Sequence, residues 1–169
     1  MRLKIVVGTI GAFLRYFSLA LLAPAAVSLY YGERRDATAF AVSALGAALA
    51  GQVMMLARHP ANDLRRVEGL AIVSGAWMLL SWAAAVPLFI AGLPATDAFF
   101  ESMSGLTTTG ATVIRDFSEF GRGIFFWRSL THWFGGMGVI ALFVAVLPRL
   151  GIGGRQLFFA EAAGPPTRN

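Results

Sequence analysis

The sequence predicts an all-α integral membrane protein: an N-terminal helix pair, then a helix–loop–helix unit whose loop folds back into the membrane on a short re-entrant helix. Three observations predict it. Four apolar segments, residues 6–31, 37–57, 70–91 and 124–147, each reach the roughly 20 helical residues that a bilayer requires. Charged residues make up only 14% of the 169 and lie mostly between those segments. Between the third and fourth segments, a short helix-forming stretch runs into threonines and a glycine, which disfavour helix.

Composition narrows the function classes. A soluble domain carries about a quarter charged residues. This chain is 57% hydrophobic with a mean hydropathy of +0.67, and four apolar segments would leave too little polar surface to keep it in water. The formal charge is 14 − 9 = +5. The arginines sit in short loops rather than one patch, which argues for membrane orientation and against nucleic acid. There are no cysteines, so disulfides and thiolate metal sites are excluded. His59 and His132 are far apart, and neither has a carboxylate at ligand spacing, which argues against a metal site.

The first segment follows the basic start Met1-Arg2-Leu3-Lys4. It runs too long for a cleaved leader, and its small-residue patch lies inside the run, so it reads as a retained span. Pro24 removes a backbone donor and should kink it. Arg15 is either a functional intramembrane charge or, the plainer reading, snorkels toward the cytoplasmic side. The second segment carries Gly46 with Ala50 and Ala47 with Gly51, small-xxx-small pairs that let helices approach where lipid supplies no hydrophobic push. Arg2, Lys4, Arg58, Arg65, Arg66, Arg149, Arg155 and Arg168 fall on one side of the segments. Arg34, Arg35, Arg115 and Arg122 fall on the other, beside Glu33, Asp36, Asp116 and Glu119. The positive-inside rule therefore places both termini in the cytoplasm. Tyr30, Tyr31 and Trp127 are expected at the outer interface.

After the third segment, Thr96 or Asp97 can cap a helix that carries Glu101 in its early turns. Ala98, Phe99, Met103 and Leu106 recur at helical spacing, and the helix should end at Gly105 or shortly after. Thr107, Thr108, Thr109, Gly110, Ala111 and Thr112 follow and should be extended. Extended backbone at membrane depth is tolerated only where it lines a water- or ion-filled cavity. Helix, strand and polar exit together read as a pore loop, although an ordinary extracellular turn is the plainer alternative. In a pore loop, carbonyl and threonine oxygens replace the water around a potassium ion. The negative end of the short helix favours a cation, and Asp97, Glu101, Asp116 and Glu119 would draw cations to the mouth. Arg128 either pairs with Glu101 or Asp97 to support the short helix, or anchors at the interface beside Trp127. Gly135, Gly136 and Gly138 are expected to let the fourth span pack against the short helix. Gly151, Gly153 and Gly154 should end that span, and residues 155–161 should lie at the inner membrane surface.

The run from Asp97 to Thr112 resembles the first pore loop of TrkH-type bacterial potassium uptake proteins, in the Trk/Ktr/HKT superfamily. Trp127-Arg128 and His132-Trp133-Phe134-Gly135-Gly136-Met137-Gly138 resemble the start of the helix after that loop, and Leu147-Pro148-Arg149-Leu150-Gly151 its cytoplasmic end. The likeness runs over residues 70–165, and the first two spans resemble the family's extra N-terminal helix pair. The resemblance implies four helix–pore-loop–helix units around one pore. It also implies potassium uptake across the bacterial inner membrane, homodimers, and a cytoplasmic nucleotide-binding TrkA-type regulator. Potassium is substrate, and no covalent cofactor is implied. Thr108, Thr109, Gly110 and Ala111 map onto the potassium-binding filter, with Thr107 and Thr112 flanking, and Asp97 and Glu101 onto the pore helix. A single filter glycine is typical of the superfamily. The expected divisions are residues 1–67, the helix pair; 68–154, the pore-loop unit; and 155–169, a cytoplasmic tail. Only one pore loop is present. The chain is therefore expected to be an N-terminal fragment, a truncated frame or a subunit needing partners, inactive in transport by itself.

Two other classes compete. Ser104 with His132 faintly suggests an intramembrane serine protease, which would need the two side chains within hydrogen-bond reach. A non-transporting scaffold would use the glycine and alanine faces alone, and it would need no irregular backbone at residues 107–112. Neither displaces the transport reading, and no enzyme activity is expected.

Overall fold

The computed structural model describes residues 2–57 and 65–146, and for 117 and 142–146 only the backbone. Arg58, His59, Arg149, Arg155, Arg168, the glycines at 151, 153 and 154, and the 155–169 tail lie outside the described residues. The order is α1 (Leu3–Ala20), α2 (Leu22–Tyr30), α3 (Arg34–Leu56), α4 (Arg66–Ala91), α5 (Ala95–Leu106), a 3-10 turn (Phe117–Glu119) and α6 (Arg122–Val146). Three helical runs, Leu3–Tyr30, Arg34–Leu56 and Arg66–Ala91, are long and apolar enough to cross a membrane. The 25 residues of α6 reach about 37 Å at a helical rise of 1.5 Å per residue, where the fourth span was expected.

The break in the first run follows from Pro24. With no N–H at Pro24, the carbonyl of Ala20 loses its intrahelical partner. α1 ends at Ala20 and α2 restarts at Leu22, with the linking Leu21 fully buried. Beyond Tyr31, Gly32 takes a left-handed φ of 76° and turns the chain into α3.

α1 and α3 pack backbone to backbone. A Cβ on Gly11 would lie 2.5 Å from Met54 Cβ, and one on Gly51 would lie 2.7 Å from both Arg15 N and Gly11 O. Ala47 is buried on the same face. The other small-residue pair, Gly46 with Ala50, is exposed and makes no such approach. Side-chain size permitted both faces, and the position of α1 selected one. Arg15 is exposed on the outside of α1.

Trp127, in the second turn of α6 and so near the end where it was expected, is fully buried among the helices. Its ring centroid lies 5.6 Å from that of Phe17 on α1 and 6.0 Å from that of Phe40 on α3. Its indole N–H donates to the Ala84 carbonyl at 3.0 Å, next to the Ala83 carbonyl that Pro87 leaves without an intrahelical donor. A tryptophan in an apolar core needs such an acceptor for its one polar atom.

The helix pair and the later helices form one bundle: α1 and α3 lie against α4, and α2 lies against α6. At one end, the buried Glu68 carboxylate accepts from Arg2 N at 3.0 Å, Nε at 2.9 Å and Nη2 at 2.7 Å, and from Arg65 N at 3.1 Å. α5 sits between α4 and α6, away from α3, and carries the loop of interest.

Candidate pore-loop site

α5 begins one turn after α4 closes at Gly92, whose φ of 122° suits glycine. Its N-cap is Pro94, and no side chain caps it. Thr96 and Asp97, expected as caps, instead occupy the first helical turn, where Asp97 complements the helix dipole. The helix ends at Leu106, as the glycine at 105 and the threonines beyond it suggest.

The four carbonyls at its C-terminal end are all satisfied, and this shapes the loop. Met103 O accepts from Thr107 N at 2.9 Å and from Thr107 Oγ1 at 2.7 Å. Ser104 O accepts from Thr109 N at 2.9 Å, and Gly105 O from Thr108 N at 2.9 Å. Leu106 O accepts from Trp77 Nε1 on α4 at 3.2 Å. The crossed pair from Thr108 and Thr109 is a Schellman arrangement, which needs a left-handed residue just past the cap. That residue is Thr108, with φ 58°, the one non-glycine at positive φ among the described residues. A β-branched side chain there costs about 1–2 kcal/mol, and such strain gathers at functional sites.

Residues 107–112 are therefore not a single extended strand from the start. Thr107 and Thr108 form a helix-ending turn, and the chain opens only from Thr109, with Gly110 at φ 77°. No helix continues through the stretch. Thr107 to Val113 are exposed along one side of the structure. Among the described residues, the carbonyls of Thr108, Thr109 and Gly110 accept no hydrogen bond within the chain. The Ala111 carbonyl differs, because Ser104 Oγ donates to it at 2.7 Å. The hydroxyls also bond locally, Thr108 Oγ1 to Thr107 O at 2.7 Å and Thr109 Oγ1 to Thr107 Oγ1 at 2.9 Å.

The far end of the loop is held by a carboxylate. Glu101 is 2% exposed. Its Oε2 accepts from Thr112 Oγ1 and from Val113 N, both at 3.1 Å, and its Oε1 accepts from Arg128 Nε on α6. Of Arg128's two expected partners, Glu101 bonds it, from the buried side of α5. Asp97, one turn earlier along the same face, is half-buried and lies beside Thr96 Oγ1 at 3.3 Å. Glu101 is consequently buried and does not line the cavity of about 790 Å³ beside the loop, which is lined by Leu93, Asp97, Thr112, Arg115, Asp116 and Glu119 among others. There Ser118 donates to Asp116 Oδ1 through both its hydroxyl at 2.7 Å and its backbone N–H at 2.8 Å. These bonds hold the Asp116 carboxyl below the usual carboxylate range.

α6 supports the loop from behind. A Cβ on Gly135 would fall 2.8 Å from the carbonyl carbon of Leu106, and one on Gly138 would fall 3.0 Å from the Trp77 ring, while Gly136 has only a loose neighbour in Thr108. Gly105 in turn faces Thr131, whose Cβ would be 3.0 Å away from an added Cβ. The protease geometry is not made. Ser104 Oγ is directed to Ala111 O, and His132 Nδ1 lies 2.8 Å from Arg128 O, to which it must donate. Sequence reading missed Trp77 and the second role of Ser104. An indole N–H in an apolar span was a signal that a backbone acceptor lay nearby; a mid-helix serine gave none.

The TrkH family model, a cation transport protein family, matches residues 37–167. The Trk system potassium uptake protein TrkH of Vibrio parahaemolyticus is 42% identical over 98% of this chain and 35% of its own length. The TrkH protein of Escherichia coli K12 is 38% identical over all of this chain and 36% of its own length. The crystal structure of the potassium transporter TrkH from Vibrio parahaemolyticus matches with a TM-score of 0.83 at 39% identity, over 91% of this chain and 34% of that one. The chain thus spans about a third of the length of the relatives it matches. With a family match over most of its residues and a shared fold on top of shared sequence, the chain belongs to the TrkH cation transport protein family.

Proposed function

We propose that the chain supplies one of four pore-loop units of a TrkH-type protein that takes potassium into a bacterial cell across its inner membrane. The observation that carries this is the non-helical stretch after α5, whose Thr108, Thr109 and Gly110 carbonyls are left without donors on an exposed face. Oxygens so placed suit a desolvated cation shared with loops from other units, and the relatives are named as potassium uptake proteins. Thr108, Thr109 and Gly110 supply filter oxygens, and Thr107 and Thr112 flank them. The Ala111 carbonyl, held by Ser104, joins as a weaker ligand through its second lone pair. Glu101 and Arg128 support the pore helix, and Asp97 biases the mouth toward cations. No catalytic role is assigned. Residues 1–67 act as a peripheral helix pair, 68–154 as the pore unit, and 155–169 as a cytoplasmic tail with the N-terminus on the same side. A homodimer and a TrkA-type nucleotide-binding regulator complete the assembly.

The test is potassium-uptake rescue in cells lacking their own uptake systems, with the full-length protein that contains this chain. Gly110→Ser strains a left-handed position and narrows the filter. It should lower the preference for potassium over sodium while membrane abundance is kept. Unchanged preference would remove the filter assignment.

A further inference from the structure

The start of α6 is capped from 89 residues away. A helix leaves its first N–H groups without intrahelical acceptors. In α6, Ile124 and Phe125 turn to the Gly121 carbonyl at 3.1 and 3.4 Å. Arg122 N and Gly123 N instead donate to the two carboxylate oxygens of Glu33, at 2.8 and 3.1 Å. Glu33 lies in the turn between α2 and α3, and its own carbonyl accepts from Ala37 N at 3.0 Å, so one residue serves two helix starts. Three further contacts close the joint. Arg122 lies over the Tyr31 ring at 4.3 Å, Ser28 packs directly on Gly123, and Gly121 leaves space that Glu33 and Asp36 fill. About two turns further along α6, Arg128 holds Glu101, and Glu101 holds Thr112 and Val113.

We propose that Glu33 is a positioning residue for the pore loop: by bonding Arg122 N and Gly123 N it sets the height of α6, and the Arg128–Glu101 pair passes that position to the Thr112–Val113 end of the loop. The helix pair would then tune ion preference without touching an ion. A negative carboxylate at a helix N-terminus is favoured by the dipole as well as by its two bonds, and here it crosses between the helix pair and the pore unit. The effect on ion preference rests on the filter reading above; the effect on loop order does not.

The test uses the full-length protein with Glu33→Ala, Glu33→Gln and Gly121→Ala, the last crowding the Glu33 carboxylate, together with that of Asp36, without altering either. Each is compared at matched protein amount in vesicles, with Gly110→Ser alongside. Glu33→Ala and Gly121→Ala should lower potassium-over-sodium preference roughly three- to tenfold, part of the worth of one charge-assisted hydrogen bond, with Glu33→Gln between them and wild type. Hydrogen exchange should rise over residues 108–116 as well as 121–126. Faster exchange confined to 121–126, or an unchanged preference where Gly110→Ser lowers it, overturns the proposal and leaves the filter reading in place. If Gly110→Ser is silent, the filter reading fails, and exchange at 108–116 decides the positioning role alone.

Discussion

The α1–α3 contact and the α5–loop–α6 contact solve the same problem in opposite ways. α1 meets α3 through glycine, with Gly11 and Gly51 bringing the backbones together and both helices keeping their own hydrogen bonds. The loop after α5 has left helical geometry, so its polar groups need outside partners. Glu101 accepts from a hydroxyl and an N–H of the loop and is itself held by Arg128, and Ser104 donates to the Ala111 carbonyl. Regular backbone in a membrane protein can be packed by shape alone, whereas irregular backbone must be bonded or must face water or an ion. The second contact should therefore fail by losing a charge and the first by gaining a methyl group.

The largest expected effect lies in the bonded contact. Arg128→Leu leaves the Glu101 carboxylate buried without its cation and should cost about 3–5 kcal/mol, read as lost abundance and a lower unfolding temperature in detergent. The double change Glu101→Gln with Arg128→Leu should cost less than the two single changes summed, because no uncompensated charge is left. Strict additivity would mean that the pair is not coupled.

The packed contact supplies the middle of the range and its own control. Gly51→Ala drives a Cβ into backbone atoms of α1 and should destabilise by about 1–3 kcal/mol, the usual cost of overpacking. Gly46→Ala, five residues earlier on a face with nothing within 4 Å, should be neutral or stabilise by up to about 1 kcal/mol through helix propensity. Equal effects at the two positions would show that the close approach of α1 and α3 is absent in the membrane.

The smallest effect is electrostatic and lies outside both contacts. The Asp116 carboxyl is depressed by its bonds from Ser118. Those bonds favour the folded turn at pH values above the ordinary aspartate range, near 3.9, and their contribution is lost as pH falls through the lowered folded value. Ser118→Ala removes the hydroxyl bond and should move Asp116 titration, followed by NMR, up toward the ordinary range, with only a slight loss of folding stability at neutral pH.

Much of this was legible in the residues. Apolar runs of spanning length, the break before Pro24, and the short helix ending after Gly105 are local consequences of side-chain chemistry, and each lies close to where the pattern puts it. The non-helical character of residues 107–112 was legible for the same reason. The Schellman turn at Thr107 to Thr109 was not, because a left-handed threonine runs against its own preference and is held there by bonds to the helix behind it.

What the sequence by itself determined is the alternation of spanning helices with one stretch that cannot be helical, since hydrophobicity, proline and β-branching act within a few residues. The tertiary structure alone decided which partners those residues meet. It set Glu101 against Arg128, Gly51 rather than Gly46 against α1, the Ala84 carbonyl against the Trp127 indole, and the distant Glu33 at the start of α6. Each choice depends on which helix faces lie side by side, and only the packed chain sets that.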